Sequence, residues 1–200
     1  MDAHTLNALA FRARALAEIR RFFGARRYLE VDTPLLAPAL IPEGNLEVFA
    51  TTLLPPIGQT EAGSQERFLI PSPELWMKRL LASGSGSIFQ ICHCFRNGEP
   101  PSPLHSPEFT MLEWYTQGAD YRDGMDTVEQ LCASLLAVEG ASAPDLRPPF
   151  RRLSMDEAFE THLGRPLSAL LGDREMEQEL RRQGLPPTPL LSGPPTPLLS

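Results

Sequence analysis

Apolar positions between residues 5 and 23 recur every three or four residues, at Leu6, Leu9, Ala13, Leu16, Ala17 and Phe23. That period predicts an amphipathic helix with these side chains inward and Gly24 as its stop. The pattern then shortens. YLEVDT at 28–33 predicts a strand halted at Pro34, and residues 37–65, with several Pro and Gly, predict a loop-rich excursion with short strands. RFLI at 67–70 predicts one more short strand. Ser72, Pro73 and Glu74 stand in the order of an N-cap, a first helical residue and a first-turn acid. A helix capped by Ser72 is therefore expected, running to about Ser83, where Gly-Ser-Gly breaks it.

Two strands joined by a loop follow. Strand side chains alternate between faces, so Cys92, Cys94 and Arg96 share one face of the first, and Phe89, Ile91 and Phe95 share the other. In the second, Phe109, Met111, Glu113 and Tyr115 share a face, and Thr110, Leu112 and Trp114 the opposite one. One face thereby collects a guanidinium, a carboxylate, a phenol and an aromatic ring. This composition makes a poor core and suits a site for a nucleotide and an amino acid. Phe109, Glu113, Tyr115, Arg96 and Glu74 are expected to line one cavity.

Further along, 123–139 predicts a helix with Val128, Leu131, Leu135 and Leu136 inward, Pro144, Pro148 and Pro149 mark a loop, and 154–163 and 173–183 predict surface helices. The end of the chain differs in kind. PPTPLLS at 186–192 recurs at 194–200 across Gly193, and two Pro-rich heptads read as a low-complexity, partly polyproline-II tail. The expected organisation is a body at 1–185 and a tail at 186–200.

Composition narrows the functional classes. The chain has 200 residues, 42% hydrophobic, enough for one domain with a core. A net charge of -7 argues against a dedicated nucleic-acid binder, which shows a basic stripe, but leaves room for a small anion held by local arginines. Three cysteines, Cys92, Cys94 and Cys132, form no disulfide framework, so a reducing, cytoplasmic setting is expected. No apolar run is long enough to span a bilayer and the N-terminus lacks a signal-peptide pattern, so no membrane partner is expected. Cys92-His93-Cys94 does not make a zinc site, because His93 points away from the two cysteines and two further ligands are missing. No metal ligands are assigned.

Three segments carry a family resemblance. RRFFGARRYLEVDTPLL resembles motif 1 of the class II aminoacyl-tRNA synthetases, a helix and strand ending at a proline, here Pro34. SPELWMKRLL resembles their lysine-site segment, and FRNGE followed by HSPEFTMLEWY resembles motif 2. The resemblance covers about residues 10–140. It points to the lysine branch, and within it to the stand-alone paralogues that lysylate elongation factor P. It implies an α+β fold, an antiparallel sheet flanked by helices. It also implies ATP and Mg²⁺ as cofactors, lysine or β-lysine as substrate, elongation factor P as acceptor, and a homodimer built on the motif-1 helix and strand. Motif 1 begins near residue 10, leaving no room for an anticodon-binding domain, and nothing in 140–200 resembles the glycine-rich motif 3. The chain therefore reads as the N-terminal part of such an enzyme, incomplete by itself and expected to form adenylate poorly when isolated. Transfer to tRNA is the alternative, disfavoured by the acidic charge. A catalytically inactive dimerisation or regulatory module is another.

The resemblance also implies roles. Arg96 is the catalytic residue, contacting the α-phosphate and the substrate carboxylate, with a planar fork suited to such contacts. Asn97, Gly98, Glu99 and His105 join it in binding ATP, and Phe109 stacks on adenine. Ser72, Glu74, Ser106, Glu113 and Tyr115 bind the amino-acid substrate. Two departures stand out: Gly98 occupies a position that is Glu in many relatives, and Ser106 replaces an asparagine. A hydroxyl reproduces only part of an amide's hydrogen bonding.

Overall fold

A computed structural model describes residues 3–40, 46–57, 63–98 and 102–184. Glu99 and the repeated tail at 186–200 lie outside the described residues. Two compact units result, residues 1–149 and 150–200. The first contains α1 (Ala3–Ala25), β1 (Leu29–Glu30), β2 (Leu36–Ala37), β3 (Ala50–Leu53), β4 (Gln65–Leu69), α2 (Glu74–Ala82), β5 (Ile88–Phe95), β6 (Glu108–Tyr115) and α3 (Tyr121–Leu136). This is the expected α+β architecture. One sheet has the order β1-β5-β6, with β1 parallel and β6 antiparallel to β5; the other, β2-β4-β3, is antiparallel throughout. Among the described residues no helix is long and apolar enough to cross a membrane.

Helix α1 has the predicted period but a different phase. Leu6 and Leu9 are 55% and 52% exposed, and Ala13 and Ala17 also face outward. Phe23 is inward as expected and Leu16 is half-buried, but the rest of the inward stripe is Phe11, Ala15, Ile19 and Phe22. Two adjacent phenylalanines decide the rotation, because they bury the most apolar surface. Gly24 is not the stop either. The helix ends at Arg27, whose φ of +62° is left-handed. The Tyr28 amide donates to the Phe23 carbonyl (3.1 Å) and the Arg27 amide to that of Gly24 (2.9 Å), the bonds of a Schellman motif. Its usual hydrophobic contact is present as the Phe23 and Tyr28 rings, 5.0 Å apart.

Those rings begin the core. Phe23 also stacks on Phe89 at 4.9 Å, meets Phe22 edge-on at 5.2 Å and tilts against Trp114 at 5.5 Å. Leu131 closes the cluster, with Ile19, Ile91, Leu112 and Leu135 packed around it. Helices α1 and α3 thus cover the odd-numbered face of β5. The Asp120 carboxylate accepts from the Arg122 and Asp123 amides and forms a capping box with Asp123, so α3 starts two residues earlier than its apolar pattern suggests. Val128, expected inward, is 40% exposed, because α3 docks through Leu131 and Leu135. Between the helices, the Glu18 carboxylate accepts from Arg21 and from the Ser134 hydroxyl. These bonds, Arg21's first, hold its pKa down at about 2.

Ser72 does not cap α2. Pro73 is the N-cap, and its carbonyl accepts from the Trp76 and Met77 amides at 3.1 and 3.0 Å. Helical geometry therefore begins one residue later than the serine would need. The C-terminal break matches expectation, with Ser83 as C-cap and Gly84 at φ +86°.

The second unit holds α4 (Met155–Leu163) and α5 (Asp173–Arg182). Ser154 and Glu157 form a capping box at the start of α4, and left-handed Gly164 ends it. A 3-10 turn at Leu167–Leu170 follows, its Ser168 amide donating to Asp156 at 2.8 Å. Buried Glu179 accepts from Arg182 and Gln183.

Candidate active site

The hairpin β5–β6 builds the site. Its register sets Cys94 opposite Phe109, Cys92 opposite Met111, Gln90 opposite Glu113 and Ile88 opposite Tyr115. The Arg96 amide continues the ladder by donating to the Pro107 carbonyl at 3.0 Å. The predicted face is therefore real, and it lies opposite the aromatic core.

At one end, the Arg96 guanidinium carbon lies 5.3 Å from the Phe109 ring centroid. The two line a cavity of about 210 Å³ with Leu104, His105 and Ser106. The Arg96 Nε is buried and has no partner within the protein. A buried donor without a partner costs roughly 1–3 kcal/mol, a cost that an arriving anion removes. His105 is held by its own loop, with Nδ1 2.6 Å from the Ser102 hydroxyl. Beyond Arg96, the Asn97 amide donates to the Glu47 carbonyl (3.0 Å), and the Asn97 side chain accepts from the Gly98 amide (2.9 Å). Gly98 has φ +69°, and a Cβ there would sit 3.3 Å from Glu47 Cγ. Glycine fits where a side chain would meet both backbone strain and Glu47.

At the other end of the face, the Tyr115 hydroxyl donates to Glu113 at 2.6 Å. Burial raises the Glu113 pKa, and nearby Glu74 raises it further against the opposing pull of Tyr115 and Lys78. Burial and the Glu113 bond push the Tyr115 phenol up. Glu74 pairs with Lys78 one turn along α2, which raises the ammonium pKa. Lys78 was not singled out from the sequence, although its i,i+4 spacing from Glu74 is the available signal.

The single expected cavity is thus two stations on one face. Arg96, His105, Ser106 and Phe109 share the cavity, while Glu74, Glu113 and Tyr115 form a separate carboxylate–phenol–ammonium cluster with Lys78. Ser72 stands apart from both, lining a small pocket with Ala37, Leu40, Ile70, Pro71, Leu75 and Trp76. Strand parity places residues on a face, but the separation along the strand, about 3.3 Å per residue, spreads positions 96 and 113 well apart. Gln90 was also missed. It is 1% exposed and neither of its amide atoms has a hydrogen-bond partner.

The family model of class II tRNA synthetases (D, K and N) matches residues 1–186. The chain belongs to this family. Among its relatives, an elongation factor P–(R)-β-lysine ligase of Vibrio atlanticus is 46% identical over 134 residues, covering 67% of this chain and 40% of the relative. The ligase of the same name from Pseudoalteromonas translucida is 41% identical over 181 residues, covering 90% of this chain and 51% of the relative. That of Pasteurella multocida is 42% identical over 166 residues, covering 82% and 47%. The chain spans about half the length of the curated relatives it matches.

Proposed function

We propose that this synthetase-family chain contributes to a ligase that activates lysine or β-lysine with ATP and transfers it to a lysine of elongation factor P. The observation that carries the reading is the buried, unpartnered Nε of Arg96 beside Phe109, in a cavity shared with His105 and Ser106. The names of the relatives support the acceptor. In the first step a substrate carboxylate oxygen attacks the α-phosphorus of ATP, and the bond to pyrophosphate breaks. In the second, the acceptor's amine attacks the acyl carbon and AMP leaves with the bonding pair.

Arg96 meets the charge that spreads over the α-phosphate oxygens, a preorganised donor in a partly dry site. Phe109 offers a face to the adenine ring, and Asn97, Gly98, Glu99 and His105 complete the ATP contacts. Glu74, with Glu113 and Tyr115, receives the substrate's amino group, and Ser72 and Ser106 add hydroxyls. Mg²⁺ in such sites is held by one or two carboxylates and the phosphates themselves. When bound, the ion neutralises phosphate charge. The enzyme works in the cytoplasm as a homodimer, through the exposed apolar face of α1 that carries Leu6 and Leu9. The synthetase-like part of the sequence extends over 1–185, and 186–200 is the Pro-rich repeat.

ATP titration into the wild type and Arg96→Ala tests the site, followed by lysine- and β-lysine-dependent ATP–pyrophosphate exchange. Arg96→Ala is expected to weaken ATP binding by about 1.5–3 kcal/mol, the range for a charge-assisted hydrogen bond. Equal affinity in the two proteins would sink the assignment of Arg96. Acyl transfer to tRNA but not to elongation factor P would replace the acceptor.

A further inference from the structure

Beneath the Arg96 station, on the same face, lies a cluster that the proposed activity does not use. Cys92 and Cys94 are both free and buried, and their sulfurs are 3.7 Å apart. That spacing is close to the roughly 3.8–4.0 Å that two thiolates adopt around one ion at metal–sulfur bonds of about 2.3 Å. Met111 is the cross-strand partner of Cys92, so its side chain stands on the same face. The Gln90 amide, buried and unpartnered, adjoins Cys92 and can donate to a thiolate.

We propose that Cys92 and Cys94, with Met111 as third donor, form a binding site for one soft monovalent d¹⁰ cation of the Cu(I) class. Ligand chemistry selects that class. Among the described residues no group of three His, Cys, Asp or Glu side chains can hold a metal, so the site lacks the four borderline ligands that zinc takes. Thiolate and thioether together favour Cu(I), which accepts low coordination. Binding displaces the two thiol protons to solvent and involves no change of oxidation state. The loaded pair carries one net negative charge, and Arg96, which already acts on Cys94, is its counter-ion. Gln90 supplies the outer hydrogen bond that metal-bound thiolates commonly receive. The site does not depend on the ligase reading, since none of its three sulfur ligands is assigned to ATP or substrate.

The test is anaerobic competition for Cu(I) held by bicinchoninate, using the whole 200-residue chain. The wild type should withdraw one Cu(I) per chain. Cys92→Ser and Cys94→Ser should each lose that uptake, and Cys132→Ser should keep it. Met111→Leu should keep the stoichiometry and compete less well. X-ray absorption of the copper-loaded wild type should show a sulfur-only first shell, a readout independent of whether any variant folds. No uptake by the wild type, uptake lost with Cys132→Ser, or nitrogen or oxygen in the first shell would each overturn the proposal. Unchanged competition by Met111→Leu would overturn the three-sulfur assignment.

Discussion

The two faces of the β5–β6 hairpin share one backbone and one register, yet they are opposite kinds of surface. The face bearing Phe89, Ile91, Leu112 and Trp114 is apolar and packed against α1 and α3. The face bearing Gln90, Cys92, Cys94 and Arg96 is nearly as well hidden, yet it holds polar groups without partners: the Gln90 amide and the Arg96 Nε. Burial alone therefore does not separate core from site. Satisfaction does. Apolar groups gain by losing water, while an unpartnered polar group pays for it, and a chain keeps such groups where a ligand settles the cost.

Substitutions that exchange the character of the faces should have effects of opposite sign. Phe89→Ala removes the ring that stacks on Phe23 and should cost about 3–5 kcal/mol, read by urea unfolding. A cost under about 1 kcal/mol, the scale of an ordinary surface change, would mean the aromatic cluster is not the core. On the other face, Gln90→Met should raise stability by about 1–3 kcal/mol, the penalty of an unsatisfied buried group. A lower melting temperature for that variant would show that the amide has partners, and the contrast between faces would fail.

Two carboxylates sharpen the same contrast through pH. Glu18, on the core side, has its pKa lowered from the ordinary 4.5 to about 2. Its contribution is present above 4.5 and is lost as pH falls towards about 2. Discounted for solvent screening, it is on the order of 1 kcal/mol. Glu113, on the site face, is shifted upward by burial. Its protonated form is favoured by folding, so its contribution is present below 4.5 and is lost as pH rises through its raised value. Glu18→Gln should thus destabilise at neutral pH and approach the wild type in acid. Glu113→Gln should stabilise at neutral pH, with the gain vanishing below 4.5. Melting curves from pH 2 to 8 check both, and parallel profiles would refute the opposition.

The smallest expected effect lies at the edge of the core. Arg27→Gly relieves the left-handed backbone at φ +62° while leaving the Schellman bonds intact, and should gain about 0.5–1 kcal/mol. A loss in thermal melting would show that the arginine side chain outweighs the strain.

The helix at 154–163 was legible because Ser154, Glu157 and Gly164 carry its start and stop within a few residues. The β5–β6 faces were legible because strand alternation is a local rule that tertiary context does not alter, and the resemblance in FRNGE and HSPEFTMLEWY located the family. Other features depended on distant contacts. A period of 3.6 gives a stripe but not its phase, and Phe22 and Phe23 set the phase of α1 by meeting Phe89 across the sheet. Ser72 had the composition of a cap, but the carbonyl geometry of Pro73 took that role. Glu74 had the residue type of a pocket carboxylate, and its pairing with Lys78 appeared only once α2 was built. The sequence by itself determined the alternating faces, most element boundaries and the family. Which buried polar groups lack partners was decided by tertiary structure, because hydrogen-bond satisfaction sums over every neighbour, however distant along the chain.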